Sequence, residues 1–204
     1  MISADEALDR LMAGNQRFIA GRAGETPVTD SSRRRELVEG QNPFAVVLGC
    51  SDSRVPAEIV FDQGLGDLFM IRVAGNIVAP SQIGSIEYAA AQFGTPLVVV
   101  LGHSSCGAVV ATLDELQRDD AIRSPNLRSI VDRIRPGVEG LLRTAPDSPA
   151  ELVERAVVAN VMASVEDLRN GSEILEELVS KGELRIVGAK YSLDSGRVDF
   201  LPMI

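Results

Sequence analysis

Short, mainly apolar runs alternate along this chain with longer stretches of helical periodicity. The apolar runs cover residues 44–49, 67–73 and 97–101, and residues 55–63 and 80–93 have a helical pattern between them. An apolar run without polar alternation is typical of a strand that is covered on both faces, as in a parallel sheet. The pattern therefore predicts an α/β fold in which right-handed crossovers build a mostly parallel central β-sheet flanked by helices.

The two ends of the chain add elements around this sheet. Residues 3–20 have amphipathic helical spacing, with Ser3 as a candidate N-cap and Glu6 completing a capping box. Residues 183–192 and 196–202 are predicted to form a strand and its hairpin partner, which places a strand at the C-terminal edge of the sheet. The other predictions are a loop over 21–30, helices at 31–40, 106–117, 151–170 and 172–181, and helical pieces within 119–148 that break at Pro125 and at Pro136 with Gly137.

The chain length predicts how these elements are grouped. A chain of 204 residues can bury one sizeable hydrophobic core, so we expect a single domain over residues 1–204. Within it, residues 1–40 would form an N-terminal helical arm and residues 41–204 the α/β core.

Composition and charge narrow the possible partners and the compartment. Hydrophobic residues make up 45% and charged residues 24%, as in ordinary soluble globular proteins. The net charge of −9 favours neither nucleic acid nor an anionic membrane as a partner. The acidic N-terminus does not resemble a secretion signal and no apolar run is long enough to span a bilayer, so we expect a cytoplasmic protein. In that reducing compartment, cysteines are more often metal-binding, catalytic or buried than disulfide-bonded.

Three residues with metal-binding side chains follow two of the predicted strands. Cys50 follows the first, His103 and Cys106 follow the third, and the chain contains no other cysteine or histidine. The carboxyl ends of parallel strands meet at one edge of a sheet, so the three side chains converge if these strands are neighbours. Two thiolates and an imidazole suit a tetrahedral Zn²⁺ ion, and three protein ligands leave a fourth position for water, as in catalytic zinc sites.

Two charged residues beside Cys50 bear on that fourth position. Asp52 could fill it, or Arg54 could hold the Asp52 carboxylate away from the metal with its two-pronged guanidinium.

Two interpretations compete with a metal site. Both cysteines could be inert buried residues beside a buried histidine. Cys106 could instead be a nucleophile activated by His103, which would leave Cys50, Asp52 and Arg54 without a role.

These residues resemble a known family. The sequence CSDSR at residues 50–54, followed by HSSCG at residues 103–107, is similar to the paired motifs of the β-class carbonic anhydrases. The similarity is strong over approximately residues 40–112 and weaker at both ends of the chain.

The resemblance implies a role for each residue of the two motifs. Cys50, His103 and Cys106 would bind one Zn²⁺ ion per subunit, and Asp52 and Arg54 would form the catalytic pair beside it. The family also suggests a closed state in which Asp52 leaves Arg54 and becomes the fourth zinc ligand.

A substrate cleft and a partner subunit are implied as well. The cleft for CO₂ would lie across a subunit interface, with Gln41 of one subunit donating a hydrogen bond to substrate bound in the other. Phe69, Tyr88 and the Gly107 backbone would lie nearby, and Ala74 stands where some relatives have valine. The chain would form a homodimer or homotetramer, in which the N-terminal helix packs on a partner subunit.

The activity implied is the reversible hydration of CO₂ to bicarbonate and a proton through a zinc-bound hydroxide. Two alternatives remain open at this stage. The same site could hydrolyse a CO₂-like molecule such as carbonyl sulfide or carbon disulfide, since the shape of the pocket decides between such substrates. A non-catalytic, zinc-stabilised interaction module would explain the three ligands, but it gives no reason for Asp52 and Arg54 at their spacing.

Overall fold

A five-stranded sheet with the order β2-β1-β3-β4-β5 forms the centre of the molecule. The computed structural model describes residues 2–24, 31–117, 124–144 and 148–202. The strands are β1 (Ala45–Gly49), β2 (Leu68–Arg72), β3 (Leu97–His103), β4 (Arg185–Tyr191) and β5 (Val198–Phe200). The first four are parallel and β5 pairs antiparallel with β4 at the edge, so both the mostly parallel sheet and the C-terminal edge strand are confirmed.

Eight α-helices lie in the described part of the chain. They are α1 (Ala4–Ile19), α2 (Ser31–Glu36), α3 (Ala57–Val60), α4 (Pro80–Phe93), α5 (Gly107–Gln117), α6 (Pro125–Val138), α7 (Pro149–Asn170) and α8 (Glu173–Ser180). Short 3₁₀ segments cover Leu37–Glu39, Ala74–Asn76 and Glu139–Thr144. None of the helices described is long and apolar enough to cross a membrane.

Both faces of the central strands β1 and β3 are buried, which explains why the predicted runs that they contain have no polar alternation. On one face Val47 and Val99 pack with residues of α1 and α3. On the other face Val46 and Val98 pack with residues of α4, α7 and α8. Alternate residues of one strand thus enter different halves of the core, and neither face tolerates a polar side chain at these positions.

Helix α1 packs on its own chain. The side chain of Ser3 accepts from the backbone of Glu6 and the Glu6 carboxylate accepts from the backbone of Ser3, so the predicted capping box is confirmed. Ala7 and Leu11 are fully buried against the sheet face that contains Val47. The opposite side of α1 leaves Met12 exposed, and contact of this helix with a partner subunit stays a prediction.

Two predicted helix boundaries were wrong. The structure continues α6 through Pro136 and Gly137, where the sequence predicted a break. Pro136 has no N–H for the helix, and α6 ends two residues later at Val138, where the chain passes into a 3₁₀ segment. Pro125 does mark a boundary, since it opens α6 behind the N-cap Ser124. Helix α3 is shorter than predicted at both ends, because Pro56 is its extended N-cap, Phe61 is its C-cap, and Asp62 has a φ of 48°.

Some predictions lie outside the described residues. These are the part of the predicted loop at 25–30 and the parts of the 119–148 region at 119–123 and 145–147.

The order of the strands fixes where a site can form. After β1 the chain passes to β2 on one side, whereas β3 lies on the other side, with Gly49 in register with Leu101. The connections therefore diverge between the carboxyl ends of β1 and β3, where open α/β sheets bind ligands. Cys50 follows β1 directly and His103 ends β3.

Candidate metal centre

Cys50, His103 and Cys106 come together at this point of divergence. Their ligand atoms all lie within 4.8 Å of one another, and the three side chains are buried. The Sγ atoms of Cys50 and Cys106 are 4.0 Å apart, and no disulfide joins them. The predicted convergence of the two strand ends is confirmed in the described chain.

His103 presents one ring nitrogen to the two sulfurs. Its Nδ1 lies 3.0 Å from the carbonyl oxygen of Ser104, which fixes the ring and places a proton on Nδ1. Its Nε2 is buried and has no hydrogen-bond partner among the described residues. A buried nitrogen without a partner is costly unless its lone pair binds something, and a metal ion is the ligand that histidine most often takes in this way.

The two thiols share a proton between them. The hydrogen bond with Cys106 is the largest cause that lowers the pKa of Cys50, and the backbone N–H of Gly75 acts in the same direction, against the opposing effect of burial. The same bond, together with burial, raises the pKa of Cys106. The two sulfurs are close enough for one thiol to donate to the other, and a cation bound between them would take the place of that proton.

These distances and donors fit zinc. Two sulfurs bonded tetrahedrally to Zn²⁺ at about 2.3 Å lie about 3.8 Å apart, close to the separation of Cys50 and Cys106. The unpartnered Nε2 of His103 supplies the third ligand atom, which leaves one tetrahedral position for a fourth group.

Asp52 and Arg54 form a two-pronged ion pair beside this centre. The Nε of Arg54 donates to Oδ1 of Asp52 at 2.9 Å, and its second guanidinium nitrogen donates to Oδ2 at 2.7 Å. These hydrogen bonds hold the pKa of Asp52 far below its ordinary value, against the opposing effect of burial. Oδ2 also lies 3.9 Å from Nε2 of His103, so the ionised carboxylate faces the ligand atoms.

Two other residues hold this loop, and the sequence had assigned neither of them to the metal centre. Arg72 at the end of β2 donates to the carbonyl oxygens of Cys50 and Asp52, at 3.0 and 2.6 Å. The backbone N–H of Gly75 donates to the Cys50 sulfur at 3.4 Å. A charged residue at the end of a neighbouring strand could have indicated the first contact, whereas a backbone donor has no signature in the sequence.

Within one chain, the residues predicted to bind substrate lie at two different places. Gly107 follows Cys106 as the first residue of α5, and Ala74 precedes Gly75, so both adjoin the centre. Gln41 and Tyr88 line a different surface pocket at the other end of the sheet.

Phe69 lies at the second of these places. Its ring lies 6.3 Å from that of Tyr88 and 6.2 Å from that of Phe93, which also lines that pocket. Phe69 pairs with Val46, about 13 Å along β1 from Cys50. Within one chain these aromatic residues therefore do not adjoin the metal centre.

Comparisons with known proteins agree with the paired motifs. The family model described as carbonic anhydrase matches residues 45–198. Carbonic anhydrase 2 of Mycobacterium tuberculosis is 43% identical over 187 residues, which cover 92% of this chain and 87% of that protein. The carbonic anhydrase of Mycolicibacterium smegmatis is also 43% identical, over 93% of this chain and 89% of that protein.

Solved structures show the same architecture. A β-carbonic anhydrase of Sordaria macrospora, one of two described as tetrameric, has a TM-score of 0.76 at 25% identity, over 97% of this chain and 98% of that chain. The β-carbonic anhydrase CafA of Aspergillus fumigatus has a TM-score of 0.75 at 26% identity, over 95% of this chain and 90% of that chain.

Proposed function

Since this chain belongs to the β-class carbonic anhydrase family, we propose that it hydrates CO₂ reversibly to bicarbonate and a proton at the centre formed by Cys50, His103 and Cys106. One observation carries the assignment to these residues: the three ligand atoms lie within 4.8 Å of one another, beside an ionised carboxylate. These three residues would hold a zinc ion, which would supply an acidified water as the nucleophile for CO₂ near neutral pH.

Asp52 orients the nucleophile. Its pKa is held far below the ordinary value, so the carboxylate is ionised at every pH at which the enzyme works and acts as a hydrogen-bond acceptor. Accepting the remaining proton of the nucleophile aims an oxygen lone pair at the carbon of CO₂.

Arg54 in turn keeps Asp52 in position. With both carboxylate oxygens bound by the guanidinium, Asp52 stays an acceptor and is held back from the metal as a ligand. The closed state, in which Asp52 binds zinc, requires that this ion pair opens.

The proton released in each cycle must leave without a histidine. His103 is the only histidine in the sequence, and both of its ring nitrogens are committed, one to Ser104 and one to the metal. We therefore expect maximal turnover to rise with buffer concentration and to reach a plateau when external buffer carries the proton fast enough. Stopped-flow hydration across a buffer series measures this.

Oxygen-isotope exchange between CO₂ and water at chemical equilibrium is the control for the attack step. That exchange is expected to change little across the same buffer series. A maximal hydration rate that is constant down to the lowest buffer concentration would contradict the proposed proton route.

The substrate cleft is completed by a second subunit. Within one chain, Gln41 and Tyr88 line a surface pocket far from Cys50. The side chain of Tyr88 is 52% exposed there, which leaves it accessible to a second subunit. Both observations support this proposal. The chain therefore acts as a homodimer or homotetramer in which Gln41 of one subunit faces the centre of the other.

Activity should accordingly depend on assembly. Light scattering is expected to find at least two chains per particle, and the hydration rate per chain is expected to fall when dilution separates them. The two quantities are measured on the same dilution series, with far-ultraviolet circular dichroism to show that the separated chains stay folded. A monomer with the full rate per chain would refute a cleft shared between subunits.

Parallel assays test the choice of substrate. The purified zinc protein is assayed by stopped flow with CO₂, and with carbonyl sulfide and carbon disulfide under matched conditions. The proposal expects CO₂ hydration to be much the fastest. Faster hydrolysis of either sulfur compound would assign the site to that substrate. Stoichiometric zinc with no activity on any of the three would leave only a structural role for the metal.

A further inference from the structure

The turn after β2 brings a backbone donor to the Cys50 sulfur. The N–H of Gly75 points at Sγ of Cys50 at 3.4 Å, in a 3₁₀ segment that spans Ala74–Asn76. A hydrogen bond to a thiolate stabilises its charge and fixes the direction of its lone pairs. Since Cys50 is a ligand of the proposed metal, this donor acts on the metal through the sulfur.

This turn has a backbone conformation that few residue types adopt easily. Gly75 has a φ of 70° and Asn76 a φ of 45°, so two consecutive residues lie in the left-handed region. A side chain at position 75 would be strained by this φ, and its Cβ would lie 2.7 Å from the terminal methyl of Ile134 and 3.1 Å from the Cβ of Ala108. Glycine adopts such a φ at little cost, whereas at Asn76 contacts with the surroundings help to hold it.

Two buried side chains of α7 hold the turn. Asn160 donates from Nδ2 to the carbonyl oxygen of Gly75 at 2.8 Å, and Ser164 donates to the carbonyl oxygen of Asn76 at 3.1 Å. The two residues are four positions apart, so they lie on one face of the helix. Together they bind the carbonyl oxygens of two successive residues of the turn.

The rest of that helix face is apolar. Ala156, Val157 and Val161 surround Asn160 on the buried side of α7. An amide and a hydroxyl in such a core are costly unless they are hydrogen-bonded. The side-chain bonds that the structure gives Asn160 and Ser164 both go to the 75–76 turn, which accounts for polar residues at these positions.

We propose that Asn160 and Ser164 are positioning residues that hold the Gly75 N–H on the Cys50 sulfur and thereby set the affinity and the electronic state of the metal centre. The inference rests on the proposed function only in requiring that Cys50, His103 and Cys106 bind zinc. In the described part of the chain, the side-chain hydrogen bonds of both residues go to the turn and not to the metal ligands. Both act through the backbone of the turn.

Loss of the Asn160 side chain should weaken the metal centre. Without its donor the Gly75 carbonyl oxygen is buried and unpaired, the left-handed turn relaxes, and the N–H moves off the sulfur. Loss of such an outer contact costs about 10- to 100-fold in metal affinity. A sulfur that has lost a hydrogen bond also gives up charge to a metal more readily, which moves sulfur-to-cobalt charge-transfer absorption to longer wavelength in the Co²⁺-substituted protein.

The experiment compares Asn160→Ala with the matched variant Asn15→Ala. Asn15 is equally buried, at 2% exposure for each residue, and donates to two carbonyl oxygens, those of Val60 and Gly196. It lies on α1 and so tests loss of a buried amide away from the centre. Zinc affinity is measured by competition with a chromophoric chelator, and the Co²⁺ spectrum is recorded for each protein.

The proposal expects zinc affinity about 10- to 100-fold below wild type and a red-shifted charge-transfer band for Asn160→Ala. Asn15→Ala should keep both properties while losing stability. Affinity and spectrum unchanged in Asn160→Ala, or changed equally in both variants, would overturn the proposal. Failure of the wild-type protein to bind zinc would instead remove the proposed function, and this inference with it.

A milder pair of variants covers the case in which Asn160→Ala does not fold. Ser164→Ala removes one oxygen from the same network, and Ser172→Ala removes one from a buried serine that caps α8. A weaker zinc affinity and a red shift in Ser164→Ala alone support the proposal. Identical values for the two variants contradict it.

Discussion

His103→Ala is expected to abolish zinc binding at stoichiometric metal and to reduce CO₂ hydration to the uncatalysed rate. Nε2 of His103 is a buried nitrogen without a hydrogen-bond partner among the described residues, and it faces the two sulfurs. Without it two thiolates remain, too few protein ligands to hold zinc in a site of this kind. Metal analysis after gel filtration and stopped-flow hydration measure the two effects.

Thr112→Val is the matched control for His103→Ala. Thr112 is a buried polar residue of α5, and its hydroxyl donates within its own helix to the carbonyl oxygen of Ala108. The control should retain zinc and most of the hydration rate. If His103→Ala keeps stoichiometric zinc and activity, the assignment of the ligands is wrong.

Asp52→Asn is expected to lower the hydration rate by about 100- to 1,000-fold while the protein keeps its zinc. The substitution preserves the size of the side chain but replaces one acceptor oxygen with an NH₂ donor. Arg54 then loses its charged partner, and the nucleophile loses the acceptor that orients it. Zinc is retained because the three ligand residues are unchanged.

Asp62→Asn separates this effect from the general loss of an ion pair. Asp62 is also bound by an arginine, Arg17, and its carboxylate is largely buried. It lies beside α1 and not at the metal centre. Its replacement should lower stability and leave the hydration rate per zinc nearly unchanged. Equal rates for Asp52→Asn and wild type at equal zinc content would remove Asp52 from the mechanism.

The sequence was sufficient to predict the sheet because its strands are buried on both sides. Val46 and Val47 enter opposite halves of the core, so the run that contains them has no polar alternation and is typical of a parallel strand. The convergence of Cys50 with His103 depended on β1 and β3 being neighbours. The register between Gly49 and Leu101 confirms that they are.

The errors and omissions have physical causes. Pro136 was predicted to break a helix, and the α-helix does end close to it, but two residues later at Val138, where a 3₁₀ segment begins. The contact of Gly75 with Cys50 was missed because the donor is a backbone N–H, which every residue except proline carries. Gln41 and Tyr88 could not be placed at the centre from one chain, since the proposal assigns them to the surface of a second subunit.

Stepwise return of zinc to the metal-free protein tests the central claim most directly. The protein is stripped with a chelator, and CO₂ hydration is followed as zinc is added in known amounts. The rate is expected to start at the uncatalysed value, to rise in proportion to zinc and to stop rising at one zinc per chain. A hydration rate that survives complete removal of the metal, or that does not return when one zinc per chain has bound, would contradict the central claim.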